Sequence, residues 1–263
     1  RDKEKHSAAI KFVDYKRLKQ QKYVNRLVRE CKLLQSVDHP HILSCKAAFK
    51  SGRGYYLVFE WLEEGSLVEY CTSATNYIKM PENIILRVAH QMLMAIAYLH
   101  SAHVIHRDVK PDNMMLSKDR GAVLIDLGYC TKPRLEAVKH KSFCGSPLYI
   151  APEMYTREPF DAGVDVYSFS LSIMDLFTPP RPEDTEMTEN EFLQKVAVEG
   201  MWGDWDQVAI GPLRELLISC TSRNSSERPT AEECQLNDVF QQSASEQEFK
   251  VFLASRRNTN ANQ

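Results

Sequence analysis

One stretch limits what this chain can fold into more than any other. It is the polar run His106-Arg107-Asp108-Val109-Lys110-Pro111-Asp112-Asn113, set between two apolar segments. Before it, Ile85, Val88, Ala89, Met92, Leu93, Ile96, Ala97 and Leu99 recur three and four apart over 82–100, which predicts a buried helix. Pro81 suits that helix's first turn. After the run, Met114-Met115-Leu116 and Val123-Leu124-Ile125 read as a short pair of strands, and the second ends on Asp126-Leu127-Gly128, with Asp126 eighteen residues past Asp108. Taken alone, such a run could be a turn whose Asp and Asn only cap helices.

The flanking segments alternate strand and helix. Residues 8–13 form a short apolar run, read as a buried strand, that is interrupted by Lys11. A cation there is costly unless paired. Over 20–36, Val24, Leu27, Val28, Cys31 and Leu34 give an amphipathic helix, and Glu30 lies on it, 19 residues after Lys11. His39-Pro40-His41-Ile42 ends the helix, because proline and its predecessor both resist it. Strands over 45–50 and 55–60 are expected to be joined by Ser51-Gly52-Arg53-Gly54, with glycines for positive φ. Downstream come a long apolar helix over 162–177 that contains Asp165, a loop at Pro179-Pro180-Arg181-Pro182, and an amphipathic helix over 213–221. Thr230-Ala231-Glu232-Glu233 is a capping box, and a polar tail follows Arg257, expected to be disordered.

Composition narrows the function classes. The 263 residues suit one large domain or two lobes, and a net charge of −2 provides no footprint for nucleic acid or an anionic membrane. No apolar run is expected to span a membrane, and Arg1 to His6 is charged, with no apolar core of a signal peptide. Seven scattered cysteines without a CxxC pair point to reduced thiols and an intracellular, cytoplasmic protein, with the nucleus also open. The His39/His41 pair reads as a turn, not a metal site.

Several of these stretches resemble the motifs of eukaryotic protein kinases. His106–Asn113 resembles the catalytic loop, Asp126-Leu127-Gly128 the metal-binding DFG motif, Ala151-Pro152-Glu153 the APE motif, and Ala8–Lys11 the VAIK strand. The resemblance covers about residues 8–240 and implies an α+β, bilobal fold. Its lobes would be a small β-rich lobe over 1–62 and a larger, mainly helical lobe over 63–245, followed by a partly disordered tail over 246–263. It also implies ATP and Mg²⁺ as cofactors and a protein substrate. Asp108 would accept the proton of a substrate hydroxyl, Lys110 would neutralise the γ-phosphate, and Asn113 and Asp126 would hold the metal. Lys11, paired with Glu30, would face the α- and β-phosphates. Phe59 would close the pocket behind adenine, the backbones of Glu60 and Leu62 would bond its edge, and Met115 would lie beneath it. Leu34, Cys45, His106 and Leu127 would form a stacked column. Asp165 would hold the catalytic-loop backbone, and Arg228 would pair with Glu153.

The resemblance has one gap. The glycine-rich hairpin that kinases place roughly 15–20 residues before the strand lysine is missing from the ten residues before Lys11, and a late start of the sequence is the favoured account. Leucine replaces phenylalanine in the DFG motif, which leaves Asp126 and Gly128 in place. Residues 139–149 resemble the activation loop of the AGC group, so Ser142 would be phosphorylated by an upstream activating kinase and pair with Arg107, helped by Lys139 and Lys141. Ser146 would bond Asp108 and Lys110, which with the loop string implies a serine/threonine enzyme. Asp112 and Asp175 would favour a basic residue before the target hydroxyl, weakly, since Ser66 replaces a third acidic contact. Two other readings stay open: a pseudokinase scaffold that binds partners without efficient transfer, and a kinase-fold enzyme acting on a small molecule.

Overall fold

The computed structural model describes residues 7–17, 21–71, 80–130, 147–177 and 205–260. A small sheet comes first: β1 (Ala8–Asp14), β2 (Cys45–Ser51) and β3 (Gly54–Glu60), antiparallel in the order β1-β3-β2. Helix α1 (Gln21–Ser36) lies between β1 and β2 in the chain. The register sets Lys11 opposite Leu57, and Phe59 opposite both Ala9 and Cys45. Leu57 and Phe59 are buried with Leu27 and Leu34 of α1 in one core. The sheet's inner face therefore follows from the sequence.

Two local expectations fail here. β1 is not a buried strand, because Ile10 is 59% and Phe12 44% exposed. It lies at the sheet edge, and alternation turns those two side chains away from the core while Ala9 and Val13 pack against it. On the outer face Phe12 and Phe49 flank Tyr56, with ring centroids 4.8 and 5.2 Å apart. The hairpin glycines serve a different purpose from the one expected. Among the described glycines only Gly65 and Gly121 have positive φ. Gly54 is required by closeness, since a Cβ there would lie 2.3 Å from the Val13 carbonyl oxygen.

The larger region is built on α3 (Glu82–Ser101), which follows the short α2 (Leu67–Cys71). Ile85, Val88, Ala89, Met92, Leu93 and Ile96 of α3 are fully buried, and each large apolar side chain so buried stabilises by about 1.5–3 kcal/mol. This is also the one helix among the described residues that is long and apolar enough to cross a membrane, and it is instead largely buried as the core of this fold. Hairpin β4 (Met114–Ser117) and β5 (Gly121–Leu124) follows it. After these come α4 (Pro152–Tyr155), α5 (Gly163–Met174), α6 (Gly211–Cys220), α7 (Ala231–Gln235) and α8 (Glu246–Asn260). The capping box is present at Thr230, whose hydroxyl accepts the Glu233 N–H while the Glu233 carboxylate accepts the Thr230 N–H.

The expected tail from 246 is a helix. Ser245 and Glu248 cap one another in the same reciprocal way, with the Glu248 N–H donating to Ser245 Oγ at 3.2 Å and the Ser245 N–H to the Glu248 carboxylate at 2.7 Å. Phe249 and Leu253, four apart, then enter the core. Arg87 of α3 donates to the Ala244 carbonyl at 2.9 Å and lies over the Phe249 ring.

Candidate active site

Lys11 on β1 donates to Glu30 on α1 at 2.7 Å and to Asp126, two residues past β5, at 3.2 Å. Burial by itself would lower the Lys11 pKa, but the hydrogen bond and charge of Glu30, with Asp126 adding to them, hold it above its ordinary value. Burial likewise opposes ionisation of Asp126, and Lys11 together with the Gly128 N–H outweighs it, leaving the carboxyl below its ordinary range. Asp126 sits at φ 59°, a conformation costly for a side chain other than glycine. Its Oδ1 accepts both Lys11 and the Gly128 N–H (3.1 Å), which caps the tight turn Leu127–Tyr129 and holds it there.

The loop after α3 presents the second group. Asp165, fully buried on α5, accepts the backbone N–H groups of His106 and Arg107, each at 2.7 Å, and the His100 ring at 2.8 Å. Burial raises its pKa, yet these donors and the His100 charge hold the group below the usual carboxylate range. His106 accepts the Asp108 N–H through Nδ1 and reaches the Ile125 carbonyl through Nε2, both at 3.2 Å, which fits the Nε2–H tautomer. Arg107, at φ 67°, donates through Nε to the Tyr129 carbonyl at 2.6 Å and through Nη2 to the same oxygen.

This scaffold presents Asp108, Lys110 and Asn113. The Asn113 amide nitrogen donates to the Asp108 carbonyl at 2.8 Å and to its carboxylate at 2.9 Å, and the Lys110 ammonium is 3.7 Å from the same carboxylate. Two groups thus stand ready, one with the Lys11 cation and the Glu30 and Asp126 carboxylates, the other with the Asp108 carboxylate, the Lys110 cation and the Asn113 amide. Glu60 ends β3, Leu62 just beyond is buried, and Met115 is half-buried and bridges to Ser66. Phe59, Leu34, Cys45, His106 and Leu127 are all buried.

Below the loop, Arg228 and Glu153 form a bidentate pair at 2.6 and 2.9 Å, and Arg228 further donates to the Ser222 and Gly163 carbonyls. Asp175, expected to face a substrate arginine, accepts the Tyr149 hydroxyl at 2.7 Å, whereas Asp112 is exposed. Lys139, Lys141, Ser142 and Ser146 lie outside the described residues.

Sequence reasoning missed His100, Gln91 and Arg120. Gln91 is a buried polar residue beside the apolar Met92 and Leu93 of α3, and its side chain accepts the Ala122 N–H at 2.8 Å. His100 sits in the last turn of α3 and had Asp165 as an available acid. Arg120 gave no local signal.

A sequence profile described as the protein kinase domain matches residues 1–240. The chain is 32% identical to the serine/threonine-protein kinase PLK4 of Nematostella vectensis over 84% of its own length and 22% of that protein's. It is 33% identical to the serine/threonine-protein kinase PAK mbt of Drosophila melanogaster over 64% of its length and 25% of the relative's. It is 32% identical to the serine/threonine-protein kinase ATG1a of Arabidopsis thaliana over 67% of its length and 28% of the relative's. The chain thus spans about a quarter of the length of these curated relatives.

Proposed function

Because the chain belongs to the protein kinase domain family, and to its serine/threonine type, we propose that it transfers the γ-phosphate of ATP to serine and threonine hydroxyls of protein substrates. The observation that carries this reading is the contact of Lys11 with both Glu30 and Asp126, which joins β1, α1 and the end of β5 through a cation suited to phosphate. Lys11, oriented by Glu30, faces the α- and β-phosphates, and the backbones of Glu60 and Leu62 meet the adenine edge above Met115.

The chemistry follows from position and charge. Asp108, fixed by Asn113 and by the backbone that Asp165 holds, accepts the proton of the attacking hydroxyl. That hydroxyl oxygen bonds to the γ-phosphorus as the bond to the departing ADP oxygen breaks. Lys110 offsets charge on the transferred group. The donor set fits magnesium: the Asn113 amide nitrogen is committed to Asp108, which leaves its oxygen for a hard cation beside the Asp126 carboxylate. Among the described residues no cluster of three His, Cys, Asp or Glu side chains could hold a metal. When bound, magnesium offsets the negative charge of the phosphates.

The reading extends to control through the activation segment. A phosphate placed on Ser142 by an upstream kinase would pair with Arg107, whose guanidinium already meets the segment's start at Tyr129. Of the two acidic residues expected to favour a basic substrate, Asp112 is the exposed one. Among the described residues Cys31, Cys45, Cys130, Cys220 and Cys234 are free thiols, which supports an intracellular setting. No feature of the site favours the scaffold or small-molecule readings.

The deciding experiment is Mg²⁺-dependent transfer of labelled phosphate from ATP to a generic protein, with Asp108→Asn as control. Transfer that vanishes in the control supports the reading. No transfer, with Mg·ATP also failing to raise the melting temperature, sinks it. Mass spectrometry showing no phosphate on Ser142, together with a fully active Ser142→Ala protein, would remove the segment-control part alone.

A further inference from the structure

Arg120 occupies the turn between β4 and β5, in a sequence, Lys118-Asp119-Arg120, that looks like ordinary polar surface. Its side chain is only 19% exposed, and each of its three nitrogens has a partner. Nε donates to the Pro40 carbonyl at 2.8 Å. Nη2 donates to the Ile42 carbonyl at 2.9 Å and the His39 carbonyl at 3.3 Å. Nη1 donates to the Glu60 carboxylate at 2.8 Å. One planar group thus joins three places far apart in the chain: the turn after α1, the end of β3, and the β4–β5 hairpin.

These places matter together. The turn over 39–43 is also zipped to β5, where the Leu124 N–H donates to the His41 carbonyl and the Leu43 N–H to the Leu124 carbonyl, both at 2.9 Å, two residues before Asp126. Glu60 is the last residue of β3, and its backbone is the one proposed above to meet adenine. Arg120 therefore sits where the small sheet, α1 and the Asp126 strand are held to one another. An exposed ion pair alone would contribute little. Three backbone carbonyls read by a rigid fork are different, because the fork fixes distance and angle as well as charge.

We propose that Arg120 is a positioning residue that ties the end of β3 to the turn after α1, and so sets the affinity of the cleft for nucleotide. This rests on the nucleotide reading above. A lysine cannot replace it, since one ammonium has three donors and no planar fork to span the Glu60 carboxylate and three carbonyls.

The test compares the full chain with Arg120→Ala, Arg120→Lys and Glu60→Gln. Mg·ATP affinity is measured by calorimetry, kcat and the KM for ATP by transfer assay, and amide hydrogen exchange over 39–43 and 59–62. Arg120→Ala is expected to weaken Mg·ATP binding about ten-fold and raise the KM for ATP by a similar factor, with kcat within about two-fold. Exchange should quicken over 39–43 and 59–62 while 85–96 of α3 stays protected. Arg120→Lys should resemble Arg120→Ala, and Glu60→Gln, which keeps the three carbonyl bonds, should do less. Unchanged affinity and exchange in Arg120→Ala would overturn the proposal, as would full function in Arg120→Lys. Should Arg120→Ala fail to fold, the other two variants decide. Should the unaltered chain bind no Mg·ATP, the nucleotide reading fails and takes the affinity claim with it; the exchange result then judges the tether alone, and unchanged exchange would overturn that as well.

Discussion

The Lys11–Glu30 and Arg228–Glu153 pairs have the same bond length within 0.1 Å, 2.7 against 2.6 Å, and different surroundings. The Lys11 side chain keeps 41% of its exposure, and the cation is shared with Asp126. The Arg228 side chain keeps none, and its nitrogens are taken by Glu153, Ser222, Gly163 and Arg223. A cation left open to solvent beside two carboxylates can exchange partners with an arriving anion. A cation whose donors are filled by its own chain can only hold that chain together. The difference teaches that distance does not separate a working pair from a structural one; what remains unsatisfied does.

Removing one partner of the closed pair should have the largest effect. Arg228→Ala leaves Glu153 buried and unpaired, which costs about 3–5 kcal/mol. For a chain this size that is roughly 10 °C or more in melting temperature. Thermal unfolding checks it, and a loss below about 1 kcal/mol would show that Glu153 finds another donor or water. The open pair should respond in the opposite way. Lys11→Met should cost less stability than Arg228→Ala, because the Lys11 side chain is 41% exposed and water can take the ammonium's place beside Glu30, although the Glu30 side chain itself is only 8% exposed. Its phosphoryl transfer should fall on the order of 10²–10³-fold, the cost typical of losing one electrostatic contact to the transition state. If Lys11→Met melts as far down as Arg228→Ala, the comparison breaks.

The same distinction governs what could be read from the chain. Asp108, Lys110 and Asn113 are local, so their grouping was legible; the Lys11–Glu30 pair was expected through the resemblance to kinase motifs, and the contact of Lys11 with Asp126 was not. Glu153 and Arg228 are 75 residues apart, and their pairing was legible only through the resemblance to kinase motifs. Arg120 was not. Its carbonyl partners at His39 and Ile42 lie 81 and 78 residues away, and a backbone carbonyl leaves no mark in a sequence. The exposure of Ile10 and Phe12 was hidden for another reason: an apolar run does not say whether one face or both will be covered. Gly54 was recognised as special for the wrong cause, since proximity to Val13 depends on the neighbouring strand. The last helix was misread outright. Ser245–Glu248 had the same cap pattern as Thr230–Glu233, and Phe249 and Leu253 the right spacing, but the polar residues after Arg257 drew the reading toward a tail.

The smallest effect concerns pH and the turn that Arg120 clamps. His41 is buried there, and its Nδ1 lies 3.0 Å from the Ala122 carbonyl, a bond that needs a proton on that nitrogen. Burial is the main cause that lowers its pKa to about 4, with the charges of His39, Arg120 and Arg87 adding to it. Burial also lowers His39 and His90. In the unfolded chain these imidazoles titrate near the ordinary value of about 6.5. Between about pH 4 and 6.5 the unfolded chain therefore binds more protons than the folded one, so stability rises with pH across that window and is lost as pH falls through it. Asp126 and Asp165, both held below the ordinary carboxylate range, add slope of the same sign toward the acid end of that window, where the unfolded carboxyls begin to bind protons. The melting temperature should drop by a few degrees between pH 7 and 4.5. His41→Gln, which keeps an N–H donor for the Ala122 carbonyl, should flatten that drop while leaving the pH 7 value nearly unchanged. A slope identical to that of the unaltered chain would remove His41 as its source and leave His39 and His90 to account for it.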